Sequence, residues 1–585
     1  MTSSGGRIAR LVPGIAQVNT YQRSWLTRDI AAGLVLTGLL APAGIAYATA
    51  SGLPPVTGLY ATIIPILVYA LFGPSRIMVV GPDSSLTPLI AASVVPLAAG
   101  NPDTAIAVAS MLSIIAGVMC VAAGMARFGF ISELLSAPVR YGYLHGIALT
   151  IIVSQSAKLC GLSVGTETIF GQLKDFADGL SDGRFNGWTF GVGAVCVAVI
   201  VLLRWRARRI PAPLVAVIVG TLAAVLLDLG NRGVSLVGDL PSGIPTPAMP
   251  DLGWDTTRTL FGAALGVALV SFADTSVLSR AMSMRRHEHV DSNHELVALG
   301  LVNVASGFFH GFAVSGSNSR TPVAESLGAR SQFAGVAAAA TLLLITIAAP
   351  STFRHLPDAA LAAIVLAAAI SLIDIPAMVR LWRVRRSEFV LSIAALVAVA
   401  VFGPVNGVVI AVALSILNFL RRAWKPHTAE LVRVDGLKGY HDRARHPEGR
   451  TIPGLLLYRF DAPLFFANAR FFADDVETRI AAQPGQVRCV IVTAEPITDI
   501  DTSAADTLGE LLTDLAAQGI ELRFAELKGT VHDRLDLYNT FSAGLASAGT
   551  GDRPPPPAHT ARTTGEAVKA YLRDYGVAWT DWEDQ

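Results

Sequence analysis

Ser315-Gly316-Ser317-Asn318-Ser319-Arg320-Thr321-Pro322 forms a short polar island inside apolar sequence. Phe308-Phe309 precede it, and after Gly328 an Ala-, Leu- and Ile-rich run continues to Pro350. An arginine among segments apolar enough for lipid is costly and marks a functional site by default. A second island, Val80-Gly81-Pro82-Asp83-Ser84-Ser85-Leu86-Thr87-Pro88, has the same pattern. Aligned on Thr-Pro, Ser85 matches Ser319, Thr87 matches Thr321 and Pro88 matches Pro322. Gly/Pro-interrupted segments at corresponding positions in two halves of a membrane protein point to a transporter's binding site.

The surrounding composition agrees. Of 585 residues, 52% are hydrophobic and only 15% charged, which describes a polytopic membrane protein and not a large soluble enzyme. The net charge of +1 says little about partners, because much of the charge lies after Trp424. No nucleic-acid partner is expected. Cys120, Cys160, Cys196 and Cys489 are far apart, so neither a disulfide framework nor a metal site is expected. Residues 1–28 are polar and carry Arg7, Arg10, Arg23 and Arg28. They read as a cytoplasmic N-terminal segment without a cleavable signal peptide.

Crossing a bilayer takes about 20 apolar residues. Fourteen spans are read, at 29–50, 55–72, 79–98, 103–125, 134–157, 187–204, 210–229, 256–282, 295–312, 314–328, 332–350, 357–381, 387–403 and 405–421. The third and tenth are short and contain the islands. With fourteen spans, the basic clusters at 7–28, 204–209, 280–286, 380–386 and 421–425 all fall on the cytoplasmic side. Dropping either island reverses the side of every later cluster. Both termini are therefore expected in the cytoplasm. Fourteen spans divide as seven plus seven, and an odd number per half makes the repeat inverted. The stretches 161–187 and 230–255 read as polar extracellular loops, and residues 29–426 as the transport domain.

From residue 427 to 585 the pattern changes to alternating strands and helices, which predicts a small cytoplasmic α/β domain. Strands are read at Leu455–Phe460, Arg488–Thr493 and Ile520–Phe524. Helices are read at Asn468–Ala482, from Asp501 to about Gln518, and at Thr564–Tyr575. Pro554-Pro555-Pro556-Pro557 marks a loop.

A helix starting near Asn318 presents free amides and the positive end of its dipole at mid-membrane. Ser317 or Asn318 caps it, and Ser319 and Arg320 occupy its first turn. The third segment does the same from the opposite side, with Asp83 or Ser84 as cap. Ser84, Ser85, Ser317, Asn318, Ser319 and Arg320 thus form a candidate anion site. The plainer reading of the serines is capping and close packing. Asp83 is either a cap or a group protonated during transport. Asp274 is the other costly group in the spans, with Ser271 on its helical face and Thr275 beside it. Asp274, with Thr275, either binds a coupling Na⁺ or H⁺ or holds Arg320; the plainer reading is a carboxylate satisfied by hydroxyls or backbone. Lys158, Glu133 and Asp374 read as interface groups, and His145 as a packing histidine. Ser503, near a helix start, is a helix cap or a regulatory phosphorylation site.

These residues resemble the SulP family, the bacterial members of solute carrier family 26. Pro55-Val56-Thr57-Gly58-Leu59-Tyr60-Ala61-Thr62, continuing through Tyr69 to Arg76, is similar to the family's second-helix signature, departing at Thr57 and Pro74. Asn293-His294-Glu295-Leu296 through Asn303 resembles the ninth-helix opening. Ser319-Arg320 followed by Glu325 matches the tenth-helix pattern, and Asp274 stands where members carry Glu or Asp. The tail resembles a STAS domain, with Asp501-Thr502-Ser503 at its Asp-Ser/Thr-Ser position. The resemblance implies a uracil-permease-type inverted repeat, a core moving against a gate, and a homodimer in the bacterial inner membrane. It also implies transport of sulfate, bicarbonate, chloride or dicarboxylates. In the Na⁺-coupled type a Thr one turn after the acid helps bind the ion; here that position is Leu278.

Three functions remain open on sequence. The first is a coupled secondary transporter of a small inorganic anion, sulfate or bicarbonate foremost. The second is an uncoupled channel or exchanger, and the third a sensor signalling through the tail. No nucleophile–base pair, metal cluster or phosphate loop suggests an enzyme, and no cofactor beyond a coupling ion is expected.

Overall fold

Proline and capping residues set the helix starts of the apolar runs. The computed structural model describes residues 12–133, 136–162, 164, 168–207, 211–241, 243–286, 290–538 and 560–584. Pro554–Pro557 and Arg7 and Arg10 lie outside them. The chain divides into two compact units, Met1–Ser415 and Ile416–Gln585.

The first unit is built from α1 (Leu26–Ala50), α2 (Pro55–Phe72), β1 (Val80–Gly81), α3 (Thr87–Ala98), α4 (Pro102–Met125) and α5 (Ala137–Leu159). It continues with α6 (Ile169–Ser181), α7 (Gly187–Arg206), α8 (Ala212–Leu226), α9 (Trp254–Arg286) and α10 (Ser292–Phe308). Then follow β2 (Ser315–Gly316), α11 (Arg320–Ser326), α12 (Phe333–Ala348), α13 (Asp358–Ser371), α14 (Ile375–Val384) and α15 (Arg386–Trp424), whose last residues, from Ile416, belong to the second unit. Asn101 caps α4 and Asn186 caps α7, each accepting from two backbone amides. Among the described residues, seven helices are long and apolar enough to cross a membrane, and α3, α8 and α12 are shorter apolar helices. Gly403, in the left-handed region at φ +81°, and Pro404 break α15.

Small residues let these helices approach closely, the form of packing available where lipid removes the hydrophobic drive. A Cβ on Gly58 of α2 would collide with the Gly44 carbonyl of α1. Gly117 of α4 and Gly300 of α10 exclude a Cβ from each other in the same way. Beside them, Ser113 Oγ donates to Asn303 O at 2.8 Å.

Four expectations shift. The tenth segment is helical only over Arg320–Ser326, because its first part is the strand β2. The ninth helix stops at Phe308, where His310 takes φ +58° and turns the chain toward β2. The twelfth run is two helices: Asp374 Oδ1 caps α14 by accepting from Ala377 N, while Asp374 N donates to His145 Nε2 at 2.8 Å. The loop at 161–187 contains the helix α6, whose apolar and polar residues segregate to opposite faces.

The second unit adds β3 (Thr428–Arg433), β4 (Tyr440–Asp442), β5 (Leu455–Phe460), α16 (Ala469–Ala481), β6 (Cys489–Thr493) and α17 (Thr502–Ala517). It ends with β7 (Glu521–Ala525), α18 (Gly529–Leu537), β8 (Thr560–Ala561) and α19 (Thr564–Tyr575). The sheet order is β4-β3-β5-β6-β7-β8, with β5 to β8 parallel and β3 antiparallel to both neighbours. Alternation along β5 sends Leu456, Tyr458 and Phe460 toward one core and Leu455 and Leu457 toward the other. Both faces are covered, which explains the uninterrupted apolar run of β6. Burial there pushes the Cys489 thiol up to about 12, so it is packing and not a nucleophile. Sequence reading missed β3, β4, α18 and β8, all short or rich in charge.

Candidate functional site

The two islands meet as a two-stranded antiparallel sheet. Val80 pairs with Gly316 and Gly81 with Ser315. Ser317 N donates to Val79 O at 2.9 Å, and Val79 N donates to Thr321 Oγ1 at 3.0 Å. The pairing brings the starts of α3 and α11 together.

Polar side chains of α9 and α10 hold β2 in place. Gly316 N donates to Thr275 Oγ1 at 2.9 Å, and Thr275 Oγ1 donates to Ser271 O at 2.7 Å. Ser271 Oγ donates to Val314 O, and the Asn303 amide bonds both backbone groups of Val314. Buried backbone outside a helix needs such partners, and inside a membrane no water core supplies them. Ser271 and Thr275 are thus engaged with backbone. Asn303 was visible only as part of a resemblance; an Asn one turn from a helix end in an apolar run is the signal for it.

Arg320 is 3% exposed. Its Nε donates to Ser317 Oγ at 2.8 Å, its Nη2 donates to Pro82 O, and Asp83 Oδ2 lies 3.8 Å from Nη2. Nη1 is buried with no hydrogen-bond partner among the described residues. Facing it is Gly81, where an added Cβ would sit 3.5 Å from Nη1. The guanidinium is thus held through Nε and Nη2, while Nη1 keeps its donors unused among the described residues.

Around this guanidinium the structure places most of the residues read from sequence. Ser84 and Ser85 are buried at the start of α3, and Ser317 is buried beside Arg320. Asn318 and Ser319 are exposed. Ser317 Oγ also accepts weakly from Arg320 N, as a cap does. Asp83 Oδ1 accepts from Ser85 N and Oγ at 3.2 and 3.3 Å, which closes a turn ahead of α3; neither Asp83 nor Ser84 caps the helix as expected, because α3 starts only at Thr87 with Leu86 at its cap position, and Asp83 is the acid next to Arg320. Asp274 is buried on α9 with its carboxylate against the Ser85 side chain, and Asp83 and Arg140 are its charged neighbours. The helix α11 has seven residues, so its dipole adds less than a full helix would; the guanidinium carries the positive charge.

Two tyrosines escaped sequence reading. Tyr47 of α1 reaches Ser84 with its hydroxyl and lies within electrostatic range of Asp83 and Arg320. Tyr143 of α5 has Asp274 as its charged neighbour, and its hydroxyl is buried without a partner among the described residues. Each looks like an apolar packing residue in sequence. Ser503 is exposed on the first turn of α17, and the cap there is Asp501, whose Oδ1 accepts from Ala504 N at 2.8 Å. Among the described residues no group of three or more His, Cys, Asp or Glu can hold a metal ion.

Comparison with known proteins follows the same division. The profile of the Sulfate permease family matches residues 26–395, and that of the STAS domain matches residues 446–543. A Mycobacterium tuberculosis (strain CDC 1551 / Oshkosh) protein named "Probable sulfate transporter MT1781" is 40% identical over 535 residues, 92% of this chain and 94% of that protein. The solved structure described as "The overall structure of SLC26A9" has the same fold at TM-score 0.87 and 20% identity, covering 98% of this chain and 94% of that one. "The transmembrane domain of a cyanobacterium bicarbonate transporter BicA" aligns at TM-score 0.59 and 23% identity, over 68% of this chain and 98% of that one.

Proposed function

The chain belongs to the sulfate permease family, and from that premise we propose that it is a secondary active transporter of small inorganic anions, sulfate first. The observation that carries this reading is the unused Nη1 of Arg320. A buried guanidinium with an unpartnered Nη1, beside Ser84, Ser85, Ser317 and the exposed Asn318 and Ser319, is an incomplete hydrogen-bond set of positive sign. An oxyanion completes it by accepting a charge-assisted hydrogen bond from Nη1.

Asp274 is the coupling group in this proposal. It shares Ser85 with the anion site, so its charge and the anion's charge oppose each other across one hydroxyl. Protonation of Asp274 then favours anion binding, which is the linkage a proton symporter needs. Leu278, buried and apolar one turn further on, supplies no oxygen to a cation, which supports H⁺ over Na⁺. Thr275, already bonded to Ser271 O and Gly316 N, acts in this reading by holding β2. We place the protein in the bacterial inner membrane as a homodimer with both termini cytoplasmic. Its fourteen segments form a seven-plus-seven inverted repeat, and α3, α9 and α11 move as one core in an elevator-like cycle.

Purified full chain in liposomes should take up labelled sulfate, with bicarbonate, chloride and fumarate as the comparison panel and Na⁺ and pH varied. Uptake driven by an inward proton gradient and lost in Arg320→Ala is the expected result. Unchanged uptake in Arg320→Ala sinks the site; conductance far above carrier turnover that persists in Asp274→Asn replaces the transporter with a channel.

A further inference from the structure

A cavity lined by both polar and apolar side chains lies apart from the residues bonded to Arg320. It has a volume of about 210 Å³ and is lined by Thr49 from the end of α1, by Thr87, Pro88 and Val95 from α3, and by Pro404 at the break in α15. The last turns of α5 add Thr150, Ser154, Gln155 and Lys158. A single water needs about 10–15 Å³ of such space, so the cavity has room for a small hydrated anion.

Among the described residues, Lys158 is the one charged side chain lining it. The ammonium donates to Thr49 O at 2.8 Å, and Asp358 at the start of α13 is its charged neighbour but does not line the cavity. The cavity therefore meets the positive member of the pair and not the negative one. An ammonium has three donors, and Gln155, whose Nε2 donates to Ser154 Oγ at 3.2 Å, has a second amide hydrogen. Half-buried charge keeps much of its field, because salt screens it less than it screens an exposed group. The position matters as well: Thr87 and Pro88 belong to the same island as Ser84 and Ser85.

We propose that this cavity is a second anion subsite, centred on Lys158 and Gln155, at the end of the bundle where α1 and α5 finish. It takes the same class of small inorganic anion as the Arg320 site and holds it next to the start of α3. The proposal rests on the anion-transport reading for its place on the path; its occupancy is tested separately.

The test uses the full chain in detergent with its four native cysteines replaced by serine and Ser154→Cys as reporter. The probes are a sulfonate-bearing and a trimethylammonium-bearing methanethiosulfonate, with sodium sulfate as competitor. The sulfonate reagent should react about tenfold faster, as expected for a unit charge nearby at an effective protein dielectric. Sulfate, compared with a non-binding salt at equal ionic strength, should slow the reaction. Lys158→Gln should remove both effects, and Lys158→Arg should retain them, which separates charge from folding. Equal rates for the two reagents, or no protection by sulfate, overturns the subsite. Adding Arg320→Ala distinguishes the two readings: protection at Ser154→Cys should survive it while uptake is lost. Protection that disappears with Arg320→Ala would show a single site and overturn the proposal. Uptake that persists in Arg320→Ala overturns the Arg320 site alone.

Discussion

Arg320 in the membrane unit and Arg433 in the STAS unit are both 3% exposed, yet they are satisfied in opposite ways. Arg433 bonds Asp581 at 2.9–3.0 Å, Glu583 at 3.1 Å, and the carbonyls of Gly439 and Leu437. The rings of Tyr440 and Trp582 cover its faces. Arg320 has one hydroxyl, one carbonyl and one carboxylate at 3.8 Å. Arg523 shows that a single unpartnered atom is not enough to mark a site: its Nε has no partner among the described residues, but Glu521 and Asp574 at 2.7 and 3.0 Å neutralise it. Arg320 combines an orphaned donor with a distant acid. A buried cation completed by its own chain is a clamp, and one left incomplete is ready for a ligand.

Substitution should separate the two. Arg320→Ala should lower anion uptake by about 100-fold or more, the effect of about 3 kcal/mol, and Arg320→Lys should not restore it because an ammonium lacks the planar fork. Thermal unfolding of that variant should stay close to wild type. Arg433→Ala should act the other way, destabilising the STAS unit by about 3 kcal/mol, the lower end for breaking a buried pair, since Glu583 is partly hydrated. A urea titration followed by near-ultraviolet dichroism of the full chain reads this. If Arg320→Ala unfolds the protein and Arg433→Ala does not, the comparison fails.

The clamp also has an acid limit. Burial works to raise the Asp581 carboxyl, but the hydrogen bond and charge of Arg433, together with the backbone amides of Glu583 and Trp582, outweigh it and hold the group below its ordinary 3.8. Its stabilisation is therefore complete above that value and lost as pH falls through the depressed one. The STAS transition should stay flat in urea midpoint from pH 7 down to about pH 5 as far as this group is concerned. A clamp already released at pH 5 contradicts the assignment.

Two smaller effects sharpen the membrane side. Asp274→Asn should make uptake independent of the proton gradient while anion exchange continues, measured as counterflow of labelled sulfate. A retained proton dependence would place the coupling elsewhere. Gly81→Ala puts a methyl at ordinary contact distance, 3.5 Å from Arg320 Nη1, at a backbone φ of +157° that favours glycine, and should raise the KM for anion about threefold to tenfold through local backbone strain and not through charge. A larger loss would mean that the strand pairing itself is disturbed.

Much of this arrangement was legible in the chain. The islands, the costly Arg320 and Asp274, and the α/β tail follow from charge and apolar patterning, which act locally. The sharing of Ser85 between Asp83 and Asp274 was not legible, because α3 and α9 are far apart in sequence. Tyr47 and Tyr143 were missed for a related reason: their rings satisfy the apolar pattern, and only packing reveals where the hydroxyls point. Lys158 looked like an interface group because its position near a helix end says nothing of the cavity beside it.

The sequence alone determined that this chain folds around apolar helices, carries a separate α/β tail, and places a cation in one of two interrupted segments and an acid in the other. Lipid and backbone chemistry leave few alternatives to such a pattern. Only the tertiary structure decided that 80–81 and 315–316 pair as strands, and that Asp83 and not Asp274 lies beside Arg320. It also decided that Nη1 is left open. These depend on which partners reach one atom, and hydrogen bonding over a few ångströms is set by distant segments that no local pattern specifies.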